Sequence, residues 1–81
     1  MGPTLVSGAV AREVPIRGEM IRLGQLLKLA DVVGGGGEVK DFLASEPVLV
    51  NGEPENRRGR QLHPGDVVAV AGEELQLTRA G

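Results

Sequence analysis

A chain of 81 residues with about two-fifths apolar side chains has material for one small core, and the absence of cysteine rules out a disulfide framework. A single histidine excludes an ordinary zinc site, and no structural metal or cofactor is expected. One Phe and no Trp or Tyr leave an aliphatic core and no aromatic platforms for base stacking, so any nucleic-acid binding must work through charge and shape despite a formal net charge of −2.

In chain order, residues 1–13 mix Gly, Pro, Ser and Ala without a clear period and are expected to form a flexible N-terminal tail, with residues 14–81 as a single domain. The first ten residues place no Lys or Arg ahead of their short apolar stretch, and no apolar run is long enough to span a bilayer. A cytoplasmic protein without membrane contact is expected. Val14–Pro15–Ile16–Arg17 and Met20–Ile21–Arg22 read as short edge strands, the proline being tolerated only at an edge.

From Leu23 the period changes. Leu23, Leu26, Leu27 and Ala30 fall at i, i+3, i+4 and i+7, with Gln25, Lys28 and Asp31 on the other side, which predicts a two-turn amphipathic helix. Val39, Phe42 and Leu43 repeat the stripe until Pro47 forbids further helix, and Gly34 to Gly37 between the two form a flexible connector. A phosphate-loop reading of these glycines fails on spacing: Lys40 is separated from Gly37 by two residues and followed by Asp41, and no buried strand precedes the loop. A milder possibility is that free backbone N–H groups at the start of the second helix meet an RNA phosphate.

Beyond Pro47, Val48–Leu49–Val50 reads as a strand, Asn51–Gly52 as a type I′ hairpin turn, His63–Pro64–Gly65–Asp66 as a second turn and Val67–Val70 as a second strand. A reversal near Gly72–Glu73 leads to the alternating Leu75–Gln76–Leu77. The fold class is therefore α+β, two short helices packed on a small twisted, antiparallel-rich sheet. Between the central strands, the polar loop bracketed by Pro54 and Gly59 places Arg57, Arg58 and Arg60 within four positions. Such bunching creates mutual repulsion unless an anion is near, which favours a binding role. The plain alternative is a solvated loop paired with Glu53 and Glu55.

The runs LGQLLKLADVV, EVKDFL and VLVNGEPENRRGRQLHPGDVV resemble the RNA-binding domain named after ribosomal protein S-four, the αL motif, and within it the stand-alone bacterial YaaA-like and YbcJ-like group. The resemblance covers roughly residues 14 to 78. It implies that Lys28 and Lys40 face structured RNA, ribosomal or transfer RNA and possibly the ribosome itself, beside Arg57, Arg58 and Arg60. It also implies that Asn51 and Gly52 form the turn between the helices and the basic loop. Leu26, Leu27, Val39, Phe42, Leu43, Val48 and Val50 would be core, with Gly65 and Asp66 holding the second turn. Where many members carry Arg or Ser near the start of the second helix, this chain has Gly35, Gly36 and Gly37, and Glu38 and Asp41 flank Lys40, which lowers the positive field of the helical half.

Asn51 and Asn56 complete the candidate contacts, Asn56 being equally suited to tying off its own backbone. His63 is read as a surface residue with a small chance of touching phosphate. With no cysteine and no partner for His63, the chain is expected to be a non-enzyme, a monomer without a small-molecule substrate. The alternative function is a protein-interaction adaptor using the same loop or an exposed sheet edge.

Overall fold

The computed structural model describes residues 10–33 and 38–80. Nine elements follow in chain order: strand β1 (Val10–Ile16), β2 (Ile21–Arg22), helix α1 (Leu23–Leu29), α2 (Val39–Ser45), then β3 (Val48–Val50), β4 (Glu53–Pro54), β5 (Gln61–Leu62), β6 (Val67–Val70) and β7 (Glu73–Arg79). Five strands make a mixed sheet in the order β1-β7-β6-β3-β4, with β1 parallel to β7 and the other pairs antiparallel, while β2 and β5 form a separate antiparallel pair. This is the α+β architecture expected, with one parallel pairing added.

That pairing revises the N-terminal boundary. Residues 10–13 belong to β1, in register with Glu73 to Gln76 of β7, instead of to a tail; residues 1–9 and the glycine connector at 34–37 lie outside the described residues. Composition could not reveal this strand, because its partner lies more than sixty residues away and its hydrogen bonds are made by backbone, which every sequence has. Pro15 occupies the position the edge rule allows. The carbonyl of Ile16 accepts from Ala80 N–H at 2.8 Å, so Ile16 faces β7 and its neighbour Pro15, by strand alternation, turns its missing N–H to the open side.

The core is aliphatic. Leu23, Leu26, Leu27 and Ala30 from α1 and its end, Val39 and Leu43 from α2, and Val14, Ile16, Val48, Val50, Leu62, Val68, Val70, Leu75 and Leu77 from the strands form one buried cluster, with Phe42 packed half-buried against it. Alternation in β6 and β7 sends Val68, Val70, Leu75 and Leu77 inward.

Both helix ends are closed by identifiable contacts. Arg22 N–H donates to the side chain of Gln25 at 3.1 Å, the reciprocal half of a capping box at the start of α1. At its far end Asp31 N–H donates to Lys28 O and Val32 N–H to Leu27 O, a Schellman arrangement with Asp31 in the left-handed region at φ 60°. Arg12 of β1 donates to Ala30 O at 2.7 Å and pairs with Glu73 at 3.2 Å, so one guanidinium joins the negative end of α1 to the β1–β7 pair. Helix α2 stops at Glu46, whose extended backbone precedes Pro47.

The two tight turns read from sequence are present. Asn51 and Gly52 take φ 51° and 86°, and Gly65 takes φ 101° beside Asp66, whose carboxylate accepts from His63 N–H at 2.8 Å. The last reversal falls at Ala71–Gly72, both with positive φ, and β7 starts directly after it.

Leu62 is fully buried in a two-residue strand and ties the β2–β5 pair to the core. Leu62→Ala is expected to lower the unfolding free energy by about 2–5 kcal/mol, measured by urea denaturation followed by far-UV circular dichroism.

Candidate nucleic-acid interface

The loop between β4 and β5 is held at three points. Glu55 N–H donates to Val48 O at 2.9 Å, extending the β3–β4 pairing by one residue. Arg60 N–H donates to Arg57 O at 3.2 Å, closing a turn over Arg58 and Gly59. The carbonyls of Arg60 and Arg58 then accept from Leu23 N–H at 2.8 Å and Gly24 N–H at 2.9 Å, the first two amides of α1. Those amides have no partner inside the helix, so the loop backbone caps it. The first two amides of α1 are thereby taken by protein carbonyls and are not open to a phosphate. Close approach depends on Gly24, where a Cβ would lie 3.3 Å from both Arg58 Cβ and Val39 Cγ1.

Once the carbonyls turn toward α1, the arginine side chains divide. Arg58 and Gly59, with Arg22, Gly24 and Gln25, Lys28 of α1 and Glu38, Val39 and Lys40 at the start of α2, line a concavity of about 410 Å³. Four cations and one carboxylate meet there in a chain that is acidic overall. Arg57 and Arg60 line a second cleft on the other side of Gly59, with Gln61 and His63.

The bunched arginines have their anion within the protein. Glu55, whose side chain is only 7% exposed, accepts from Arg57 Nε at 2.9 Å, Arg57 Nη2 at 3.1 Å and Arg60 Nη1 at 2.9 Å, and also from the backbone N–H groups of Asn56 and Arg57. Of the two acids read as possible partners, it is Glu55 that takes this place. Hydrogen bonds from Arg57, side chain first and then backbone, outweigh the burial that opposes them and lower the Glu55 carboxyl to about 2; Arg60 adds to the effect. Arg58 makes no ion pair among the described residues.

The sequence-predicted residues therefore separate. Lys28, Lys40 and Arg58 share one concavity, and Arg57 and Arg60 lie next to it, already bonded to Glu55. Asn51 lies apart from both clefts: its side chain donates to Asp66 Oδ1 at 3.2 Å and accepts from Val67 N–H at 3.0 Å, bracing two turns. Asn56 lies in a third cleft with Leu43, Pro47 and Pro54, apart from the cationic one. His63 stands 3.9 Å from the carboxylate of Asp66.

Sequence reasoning missed Arg22. Its signal was the polar stripe Arg22, Gln25, Lys28 at intervals of three, which runs along the open side of α1 from its first turn. Arg22 ends the short strand β2 and is at the same time the N-cap of α1, so a strand reading alone hides its place beside the helix.

The Glu55 brace makes stability depend on pH in a defined window. Its carboxyl titrates at about 2 in the folded protein against an ordinary value of 4.5, so its contribution is full above 4.5 and is lost as pH falls toward 2. Urea midpoints measured between pH 5 and pH 2 should fall more steeply for the unmodified protein than for Glu55→Gln, the difference amounting to uptake of about one proton on unfolding. Parallel curves would show that the carboxylate does not carry the loop.

The S4 domain model matches residues 14–78, most of the chain. A relative from Bacillus subtilis (strain 168), described as a probable ribosome maturation protein RlbA, is 57% identical over 63 residues, covering 78% of this chain and 89% of the relative. The sequence pattern, the helix pair on a small sheet and both matches agree, and the chain belongs to the S4 domain family.

Proposed function

We propose that this protein is a non-catalytic RNA-binding module that docks on structured RNA through the cationic concavity, and that its target is ribosomal RNA during maturation of the ribosome. The observation that carries the reading is the convergence of Arg22, Lys28, Lys40 and Arg58 on one concavity in a chain of net charge −2. A local field of that sign attracts a polyanion whatever the overall charge. Membership of the S4 domain family supports RNA as the polyanion, and the likeness to a probable ribosome maturation protein of Bacillus subtilis supports the ribosomal setting.

In this reading Arg58, Arg22, Lys28 and Lys40 contact phosphate oxygens. Arg57 and Arg60 chiefly hold the loop in shape, because a phosphate would have to compete with Glu55 for them. Glu38 on the rim of the concavity opposes part of the field. Recognition by charge and contour suits A-form RNA, whose bases are hard to reach in its deep groove. The protein acts as a single copy: β4 is a two-residue edge, and Pro15 removes a donor near the end of the open side of β1.

Fluorescence anisotropy with a labelled ribosomal RNA hairpin, titrated against potassium chloride, tests the assignment. Four phosphate contacts give a slope of log affinity against log salt on the order of −3. Arg58→Gln or Lys40→Gln should each reduce it by nearly one, and Arg57→Gln by clearly less. Equal effects of Arg57→Gln and Arg58→Gln, or binding without salt dependence, would falsify the assignment.

A further inference from the structure

Six glycines lie among the described residues, and the fold accounts for five. Gly18, Gly52, Gly65 and Gly72 have positive φ, and Gly24 is crowded by Arg58 and Val39. Gly59 has neither reason. Its φ is not positive, and a Cβ there would meet nothing closer than Arg22 Nη1 at 4.0 Å, the free end of a flexible side chain. Alanine would fit and would restrict the unfolded chain more than glycine does, so folding alone gives no cause for glycine at this site.

The position of Gly59 provides a cause. It lines both basic clefts, with Arg22, Lys28, Lys40 and Arg58 around one and Arg57, Arg60 and His63 around the other. It is exposed at the tip of the turn, and its N–H finds no acceptor among the described residues. A glycine serves where a ligand must come close to the peptide.

We infer that Gly59 is a ridge crossed, in direct contact, by the phosphodiester backbone of an RNA strand running from the Arg22–Arg58 cleft to the Arg57–Arg60 cleft. Its N–H donates to a phosphate oxygen there, and the missing side chain lets the strand sit against the loop. The inference rests on the RNA-binding reading and adds a path to it: the strand leaves the first cleft over Gly59 and passes beside Arg57 and Arg60, which stay bonded to Glu55.

The test compares Gly59→Ala and Gly59→Leu with the double variant Arg58→Gln/Lys40→Gln, using a fluorescein-labelled ribosomal RNA hairpin for binding and urea unfolding for stability. Both glycine variants should unfold at or above the urea midpoint of the unmodified protein. Affinity should fall about fivefold for Ala and more than tenfold for Leu, the scale of one lost polar contact and then of a displaced strand. If Gly59→Leu binds normally while the double variant loses binding, the ridge is overturned and the cationic concavity stands. If the double variant also binds normally, both are overturned. A lowered urea midpoint in Gly59→Ala would reveal a folding role for the glycine and would equally overturn the inference.

Discussion

The arrangement of this protein depends on two hydrogen bonds, from Leu23 and Gly24 N–H to the carbonyls of Arg60 and Arg58. A seven-residue helix has little stability of its own, and its first amides would be costly to leave unpartnered against the protein. The loop that caps it is separated by more than thirty residues, so the cap joins the helical half to the sheet half. It also decides orientation: once the carbonyls turn toward α1, Arg58 is left beside Lys28 and Lys40. Capping and construction of the cationic concavity are one event.

The cap is possible because of what Gly24 lacks. The 3.3 Å approach of its virtual Cβ to Arg58 and Val39 leaves little room for a side chain, so α1, α2 and the loop meet at a single point. Glu55 supplies the complementary constraint. Three arginines in four residues would repel one another and spread the loop, and a carboxylate bonded to two of them removes most of that repulsion. The basic character of the loop is thus divided between a brace and a surface: Arg57 and Arg60 are largely compensated, and Arg58 is not.

This division alters the significance of the acidic composition. A net charge of −2 on the whole chain is compatible with a concavity in which four cations face one carboxylate, because screening limits the reach of distant acids while neighbouring cations add directly. It also bears on the sheet. The register of β3 with β6 places the Asn51 turn beside Asp66, where side-chain bonds lock both turns, and this rigid pair presents the loop at its base.

The sequence by itself determined the elements whose signals are local. The leucine stripe of α1, the Val39–Leu43 stripe of α2, the stop before Pro47, the Asn51–Gly52 turn and the β-branched strands all follow from periodicity and backbone restriction, and they recur in the structure close to where they were expected. It also marked Lys28, Lys40 and the three arginines, since charge is visible in any sequence. Tertiary structure alone decided how they were used. The pairing of β1 with β7, the capping of α1 by the arginine loop, the capture of Arg57 and Arg60 by Glu55, and the arrival of Arg22 at the concavity join residues whose geometry no spacing rule encodes. The physical reason is the same in each case: backbone amides and carbonyls carry no residue identity, and a charged side chain shows its sign in the sequence but its partner only in space.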